Sequence, residues 1–242
     1  MCGYCGCSST DMHEHTHSYD NHSHDDARLI QIEQDILSEN QTFAEQNRLY
    51  FKKNNIIALN LMSSPGSGKT TLLVETIKLL KPHCPISVIE GDQQTDLDAQ
   101  RIAATEVPVL QINTGTGCHL DGHRVGHALS DLRPSNNSLL FIENVGNLVC
   151  PALFDLGEQA KIVILSVTEG EDKPLKYPHM FSEADLMLIH KMDLLPYVSF
   201  NVEQCIDYAK RVNPRIEVLQ TSAMTPSGLS TWKDWLLKQF VL

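Results

Sequence analysis

The sequence lacks any apolar run close to the roughly 20 residues that a membrane-spanning helix needs. Its N-terminus also lacks the basic and apolar regions of a secretory signal, so we expect a cytoplasmic protein with no membrane partner. Basic residues are scarce, with 19 Lys and Arg against 30 Asp and Glu and a formal net charge of −11. Since non-specific nucleic-acid binding depends on basic side chains that neutralise phosphates, nucleic acid is not an expected partner.

Cysteines are present, but not in the pattern of a disulfide framework. The chain has seven, an odd number, which in a reducing compartment favours metal ligands or buried thiols. The N-terminal Cys and His residues are Cys2, Cys5, Cys7, His13, His15, His17, His22 and His24. Thiolates beside imidazoles suit nickel, zinc or copper. We predict that the three cysteines bind metal and that the histidines are weaker candidate ligands.

Neither an engineered tag nor a structural zinc knuckle accounts well for this terminus. An engineered tag has consecutive histidines, whereas these are separated by other residues, and it would not supply the preceding C-x-x-C-G-C. A structural zinc knuckle normally needs a second, separated cysteine pair, and the sequence has no second C-x-x-C.

The chain divides into three predicted parts. Residues 1–26 are polar and form a flexible metal-binding tail. Residues 27–54 carry apolar side chains at roughly helical spacing, which predicts an amphipathic helical segment of one or two helices with a break near residues 38–40. Residues 55–242 are predicted to form one domain.

Short apolar runs alternate with helix-compatible stretches in this last part. The runs are Ile56–Met62, Ile86–Glu90, Val107–Ile112, Leu139–Glu143, Ile162–Val167, Leu186–His190 and Ile216–Leu219. Fully apolar strands separated by helices indicate a parallel sheet that is covered on both faces. We therefore predict an α/β fold, a single P-loop domain with a mostly parallel sheet of about seven strands.

The loop after the first run has the pattern of a phosphate-binding loop. It reads Ser63-Ser64-Pro65-Gly66-Ser67-Gly68-Lys69-Thr70, and an apolar helix opens at Thr71. Lys69 would reach the β and γ phosphates, and Thr70 would supply a hydroxyl to Mg²⁺. A turn that only links strand to helix has no need of these two residues in tandem. The predicted phosphate contacts are Gly66, Ser67, Gly68, Lys69, Thr70 and Thr71.

Acidic residues end two further runs, in Glu90-Gly91-Asp92 and in Glu143-Asn144-Val145-Gly146. Ligands of open α/β sheets bind at the carboxyl ends of the strands, so we predict that Thr70, Asp92 and Glu143 hold Mg²⁺. Lys69, Asp92 and Glu143 are the predicted catalytic residues. The alternative for Asp92 is that it only caps the next helix. The pattern from Glu143 to Gly146 resembles the D-x-x-G switch of GTPases, whose glycine amide senses the γ-phosphate.

Two later loops resemble the base-recognition loops of GTPases. His190-Lys191-Met192-Asp193 is similar to N-K-x-D, with histidine in place of the usual asparagine, and Thr221-Ser222-Ala223 is similar to the S-A loop. In that resemblance Asp193 accepts from one edge of guanine, Lys191 covers the base, and Ser222 and Ala223 complete the site. GTP is therefore favoured over ATP.

A second candidate metal site lies inside the nucleotide-binding part. Cys118 and His119 are adjacent, and Cys150 is four residues beyond Gly146. Three such ligands leave a coordination position open, as in a site that releases its metal. The alternative is that the two cysteines are ordinary buried thiols. His123 and His127 continue a stripe from His119 at four-residue spacing, and solvated or partner-facing histidines are the favoured interpretation of it.

Together these motifs resemble the nickel-incorporation GTPase of [NiFe]-hydrogenase maturation, the HypB family. The resemblance rests on C-x-x-C-G-C, S-S-P-G-S-G-K-T, E-G-D-Q-Q-T-D, the Cys118-His119 pair, E-N-V-G-N-L-V-C-P and K-M-D-L-L-P-Y. It implies that residues 55–242 form a P-loop GTPase (G) domain related to the signal-recognition-type GTPases. It also implies slow GTP hydrolysis to GDP and a GTP-dependent homodimer. It also implies nickel transfer to the hydrogenase large-subunit precursor, with a small zinc-containing maturation partner.

By position, the resemblance implies a high-affinity nickel site at Cys2, Cys5 and Cys7. It implies a weaker nickel or zinc site at Cys118, His119 and Cys150. One alternative function is nickel or zinc storage, with the histidine tract as the functional part. Another is a GTPase chaperone for a different metalloenzyme such as urease, although the C-P-H and G-C-x-C-C motifs of the related chaperones are absent.

Overall fold

The computed structural model describes residues 22–92 and 96–239. Among these residues, those up to Ile36 and those from Leu37 onward form separate units by their contacts. The helices are α1 (His22–Asn54), α2 (Lys69–Leu80), α3 (Leu97–Ala103), α4 (Gly122–Leu132), α5 (Cys150–Leu153), α6 (Lys173–Lys176), α7 (Pro178–Ser182), α8 (Val202–Val212) and α9 (Ser230–Gln239). Short 3₁₀ helices cover Met192–Tyr197 and Pro226–Leu229.

Each of the seven predicted apolar runs forms a strand. The strands are β1 (Ile56–Ser63), β2 (Ile86–Asp92), β3 (Val109–Asn113), β4 (Ser138–Glu143), β5 (Ala160–Ser166), β6 (Leu186–His190) and β7 (Glu217–Gln220). They form one sheet in the order β3-β2-β4-β1-β5-β6-β7, and all pairs are parallel. The predicted fold class is confirmed.

Burial on both faces explains why the central strands are mostly apolar. All eight residues of β1 are buried. Since successive side chains point to opposite faces, Leu59 packs in the cluster that contains Trp232 of α9, while Ala58 packs in the cluster that contains Val125 of α4. The sheet is therefore a rigid layer whose carboxyl edge carries the loops of interest.

Helix α1 differs from its prediction in two ways. It is continuous through residues 38–40, so the predicted break is wrong. Asn40 does not interrupt the helix, because its side chain bonds outside α1, to the carbonyl of Asp155 and the amide of Gly122. The helix also begins at His22, within the segment predicted as a tail.

The buried face of α1 is not the predicted apolar one. Leu49 is 68% exposed, whereas Asn40, Ala44, Asn47 and Phe51 are buried at spacings of four, three and four residues. Asn47 Nδ2 donates to the carbonyls of Gly122 and Leu156 at 2.8 and 3.1 Å. The second half of α1 is thus attached through buried polar contacts that an apolar pattern does not reveal.

Within residues 22–92 and 96–239, no helix has the length and apolar character that crossing a membrane requires.

Candidate functional site

The phosphate-binding loop lies between the end of β1 and the start of α2. Gly66 and Gly68 both have left-handed backbone angles, with φ of 76° and 100°, which glycine adopts without strain. The amides at the start of α2 face a cavity of about 540 Å³ that the whole loop from Ser64 to Thr71 lines. Ser63, which stands where the strict motif has glycine, is the buried last residue of β1 and lies outside this cavity lining.

Glu143 is the acidic centre of this cavity. Its Oε1 accepts from the Thr70 hydroxyl at 2.7 Å and lies 3.4 Å from Lys69 Nζ. Its Oε2 is buried and has no hydrogen-bond partner within the described part of the chain. Asp92 lines the same cavity, so the three predicted Mg²⁺ ligands are brought together there.

Glu90 is a cavity residue of the acidic strand end Glu90-Gly91-Asp92, of which only Asp92 was predicted as a ligand. It lies directly opposite Glu143 on the neighbouring strand and is only 2% exposed, and the described residues offer its Oε2 no partner. Burial, and then the negative charges of Glu143 and Asp92, raise the pKa of Glu90 to about 8. Two buried carboxylates with unpaired oxygens beside a threonine hydroxyl fit the all-oxygen ligand set of Mg²⁺. The position of Glu90 at the end of β2 was the signal that could have identified it.

Helix α3 contributes two further residues that sequence reasoning missed. Arg101 and Asp98 line the cavity and are 3.1 Å apart, and Arg101 also donates to the Thr71 hydroxyl at 2.9 Å. No local motif marks them, because the cavity is completed only when α3 packs beside α2.

The two predicted base-recognition loops lie against each other. Ser222 Oγ donates to Asp193 Oδ1 at 2.5 Å, and the Met192 amide donates to the Thr221 carbonyl at 3.1 Å. Lys191 Nζ donates to the carbonyl of Gly66, so this loop also contacts the phosphate-binding loop.

His190, which replaces the usual asparagine, is buried between the same elements. Its Nδ1 lies 2.9 Å from Thr221 Oγ1, and its ring packs so closely on Gly68 that a Cβ there would be 3.1 Å away. Burial, with the positive charge of Lys191 second, lowers the pKa of His190 to about 4. The imidazole is therefore neutral and connects the base loops to the phosphate-binding loop.

A compact group of sulfur and nitrogen atoms lies beside the cavity. The candidate ligand atoms of Cys118, His119 and Cys150 are all within 4.8 Å of one another, with 2.7 Å between the two sulfurs and 3.6 Å from Cys118 Sγ to His119 Nδ1. His119 stacks on Phe154, with ring centroids 3.8 Å apart, and burial lowers its pKa. A neutral imidazole and two thiols are the donor types that bind Zn²⁺ or Ni²⁺.

Short contacts connect this cysteine–histidine cluster to the phosphate-binding loop. A Cβ on Gly146 would lie 3.2 Å from Pro65, so the loop after β4 lies directly on the phosphate-binding loop. Asn147, the next residue, donates to Cys150 Sγ at 3.7 Å. On the other side, the Leu120 amide donates to the buried Asn144 at 3.1 Å. Cys150 and the Cys118–His119 pair are thus both attached to the segment from Glu143 to Cys150.

The N-terminal candidate ligands fall outside the part of the chain that the structure describes. Cys2, Cys5, Cys7, His13, His15 and His17 lie outside the described residues, and the side chains of His22 and His24 are likewise not described.

The fold and the cavity define a P-loop nucleotide-binding domain of the GTPase type. Residues 57–220 match the family model described as CobW/HypB/UreG, nucleotide-binding domain. The hydrogenase maturation factor HypB of Azotobacter vinelandii is 62% identical over 213 residues, which cover 88% of this chain and 70% of that protein. The HypB of Escherichia coli K12 is 57% identical over 212 residues, which cover 88% of this chain and 73% of that protein.

A solved structure agrees with these relatives. The crystal structure of HypB from Helicobacter pylori in complex with nickel has a TM-score of 0.78 and 38% identity, covering 84% of this chain and 95% of that one. The chain belongs to the HypB family of hydrogenase maturation factors.

Proposed function

We propose that this chain is a GTP-hydrolysing nickel metallochaperone that delivers Ni²⁺ to the large-subunit precursor of a [NiFe]-hydrogenase. The observation that carries the proposal is the short segment from Glu143 to Cys150. One end of it hydrogen-bonds to Thr70 of the phosphate-binding loop, and the other end is a ligand of the cysteine–histidine cluster. Nucleotide state and metal affinity can therefore influence each other over only a few residues.

The proposed binding of the nucleotide rests on the groups that line the cavity and on the two base-recognition loops. The loop amides and Lys69 hold the phosphates, and Asp193 with Lys191, Ser222 and Ala223 selects guanine. Thr70, Asp92 and Glu143 would hold Mg²⁺, with Glu90 as an additional carboxylate. Bound with the nucleotide, Mg²⁺ neutralises charge on the β and γ phosphates. Gly146 contacts Pro65 and is placed to respond to the γ-phosphate.

The cysteine–histidine cluster binds the Ni²⁺ ion that the chain delivers. Cys118, His119 and Cys150 supply three donors, and a fourth position stays open for exchange. GTP orders the loop after β4, nickel occupies the cluster, and hydrolysis moves Cys150 so that nickel can leave. Zn²⁺ has the same donor preferences and competes for the site. The N-terminal cysteines and histidines acquire and hold nickel before this step.

The surface beside the cluster supports a protein partner at this point. Val149 lies immediately before Cys150 and Leu153 lies three residues after it, and their side chains are 51% and 49% exposed. We assign this surface to a GTP-dependent homodimer whose two clusters face each other, in the cytoplasm. The small zinc-containing maturation partner and the hydrogenase precursor are the other expected partners.

Hydrogenase maturation in cells tests the function. In a strain without its own copy of the gene, the wild-type chain should restore both hydrogenase activity and the nickel content of the large subunit. Lys69→Ala should abolish both, because phosphate contacts are lost, and Cys150→Ser should lower both at limiting nickel. Cys84→Ser is the matched control, since Cys84 is a half-buried thiol outside the cluster.

Two outcomes would contradict the proposal. Full hydrogenase maturation by Lys69→Ala would remove the role of the nucleotide. A chain lacking residues 1–26 that loses only tolerance of high nickel, together with full activity of Cys150→Ser, would favour storage.

A further inference from the structure

Asn60, Asn144 and Glu158 are buried polar residues to which the proposed function assigns no role. Asn60 lies within β1, Asn144 directly follows β4, and Glu158 precedes β5. Asn60 Nδ2 donates to Glu158 Oε1 at 3.0 Å, and Asn144 Nδ2 donates to Asn60 Oδ1 at 3.2 Å. Burying a polar side chain is costly unless partners of this kind satisfy it. These three residues therefore form a connected set, which we call the buried polar relay.

The Asn144 end of the relay connects two loops. Asn144 Oδ1 accepts from the amide of Val145 at 3.0 Å and from the amide of Leu120 at 3.1 Å. Val145 lines the nucleotide cavity, whereas Leu120 directly follows His119, a candidate ligand of the cluster. One side-chain oxygen is therefore bonded both to the nucleotide site and to the loop that carries two of the three metal ligands.

Glu158 determines which way the two amide side chains of the relay point. The oxygen and nitrogen of an amide have nearly the same shape, so only their hydrogen-bond partners select one orientation. Both oxygens of Glu158 accept from N–H groups, Oε1 from Asn60 and Oε2 from the Leu156 amide at 2.6 Å. Asn60 must therefore turn its nitrogen toward Glu158 and its oxygen toward Asn144 Nδ2. This in turn directs Asn144 Oδ1 toward the two loop amides.

The loop that carries Glu158 is held by the second half of α1. Arg48 Nη2 donates to both carboxylate oxygens of Asp155, at 2.8 and 2.6 Å. Asn47 Nδ2 donates to the carbonyl of Leu156 at 3.1 Å. The relay thus has one end anchored away from the nucleotide cavity and the other end at the loop after β4.

The three ligands of the cluster do not lie on one loop. The chain after β4 carries Cys150, whereas Cys118 and His119 lie between β3 and α4. A nucleotide-driven movement of the loop after β4 therefore reaches Cys150 through the covalent chain. It reaches the Cys118–His119 pair through the hydrogen bond from the Leu120 amide to Asn144.

We propose that Asn60 and Glu158 are positioning residues, which hold Asn144 in the orientation that transmits nucleotide state to the Cys118–His119 pair. The inference rests on the proposed function and adds the residues that carry the transmission. Asn60 and Glu158 neither line the nucleotide cavity nor belong to the cluster, so they act through Asn144. If Asn144 were turned over, its NH₂ group would face two N–H donors, and the connection between the loops would be lost.

Reversing the polarity of the relay tests the proposal. In Asn60→Asp, a carboxylate oxygen replaces Nδ2 and faces Oε1 of Glu158, so this hydrogen bond cannot form. In Glu158→Gln, one of the two N–H donors, from Asn60 or from Leu156, loses its acceptor. The double variant Asn60→Asp/Glu158→Gln again has one carboxylate and one amide. Its hydrogen bond can form in the reverse direction, while the second carboxylate oxygen still accepts from Asn144.

Nickel titration of the full chain, with GDP and with a nonhydrolysable GTP analogue, measures the effect. The readout is the ratio of the two nickel affinities, for the binding that Cys150→Ser abolishes. The ratio should be about tenfold in wild type, about twofold or less in Asn60→Asp, and at least about fivefold in Asn60→Asp/Glu158→Gln. Glu158→Gln should give an intermediate ratio, because it removes one acceptor and adds no charge.

Asn213→Asp is the matched control for the loss of stability that the same substitution causes elsewhere. Asn213 Nδ2 also donates to acceptors, the carbonyls of Phe181, Ser182 and Ala184, but it is not part of the relay. This variant should unfold at lower urea concentration and keep the wild-type ratio. A wild-type ratio in Asn60→Asp, or no recovery in the double variant, would overturn the positioning role and leave the proposed function intact. Equal nickel affinities in the two nucleotide states of the wild type would contradict both.

Hydrogen exchange on the metal-free wild-type chain gives a second measurement that needs no stable variant. The Leu120 amide is buried, bonds to Asn144 and lies outside the lining of the nucleotide cavity. Its exchange rate, resolved by mass spectrometry, should nevertheless differ between the GDP state and the GTP-analogue state, together with that of Val145. A change at Val145 with none at Leu120 would show that Asn144 transmits nothing, and it would overturn the proposal.

Discussion

At the scale of single residues, His190 shows how a departure from a motif is accommodated. The usual asparagine of this loop braces the neighbouring loops by hydrogen bonds. In this chain the imidazole does so, since Nδ1 bonds with Thr221 and the ring fills the space beside Gly68. A neutral, buried histidine is therefore a structural part of the nucleotide site. Because the buried imidazole is neutral, the free energy of unfolding of the chain depends on pH.

We expect His190→Asn to reduce the loss of stability in mild acid. The pKa of His190 is about 4 in the folded chain. In the unfolded chain the usual pKa of histidine is about 6.5, so only the unfolded state gains a proton as the pH falls from 6.5 toward 4. The contribution of the neutral His190 side chain to folding stability is thus complete above pH 6.5 and is lost as the pH falls toward 4. Between pH 7 and 4.5 the wild type should lose about 2 kcal/mol more free energy of unfolding than His190→Asn.

Urea unfolding at a series of pH values measures this difference. His179→Asn, which removes an exposed histidine of α7, is the control for the general effect of losing an imidazole. If the wild-type and His190→Asn profiles were parallel, the buried, neutral state of His190 would be wrong.

At the scale of elements, α1 shows what a sequence pattern can and cannot predict. The helix itself was predictable from its periodicity, but its buried face was not. Asn40 and Asn47 are buried because tertiary partners accept and donate their hydrogen bonds, including the carbonyl of Leu156. Those partners are more than 70 residues away along the chain, so no local signal identifies them.

The turn at Gly157 lies close against the backbone of α1, and we expect Gly157→Ala to be strongly destabilising. Gly157 has a φ of 87°, and a Cβ would be 2.5 Å from the carbonyl oxygen of Ala44 and 2.8 Å from the Arg48 amide. The backbone strain and the overlap together should lower the free energy of unfolding by about 3 kcal/mol.

Gly115→Ala is the matched control, because Gly115 also has a left-handed φ, of 59°, but a Cβ there would meet no atom within 4 Å. It should lose only about 1 kcal/mol in the same denaturation experiment. Equal losses for the two variants would show that contact with α1 contributes nothing at this turn.

At the scale of the whole molecule, the sheet determines which sequence motifs meet. The seven apolar runs and their parallel arrangement were predictable, because the five inner strands are buried on both faces. The carboxyl edge then gathers the phosphate-binding loop, the acidic strand ends and both base loops, as the motifs indicated. The contribution of Arg101 was not predictable, since it depends on the packing of α3, and the placement of Glu90 opposite Glu143 depends on strand register. The links through Asn144 and Asn147 likewise exist only in three dimensions.

Those links predict that nucleotide and nickel affinities are coupled in both directions. Nickel should bind the cysteine–histidine cluster about tenfold differently in the presence of GDP and of a nonhydrolysable GTP analogue, a coupling of about 1.4 kcal/mol. Because coupling free energies are reciprocal, nickel should change the relative affinity for the two nucleotides by the same factor. Titration calorimetry on the full chain measures both quantities. Cys150→Ser should abolish the coupling and Cys84→Ser should preserve it, whereas identical nickel affinities in the two nucleotide states would mean that the segment from Glu143 to Cys150 transmits nothing.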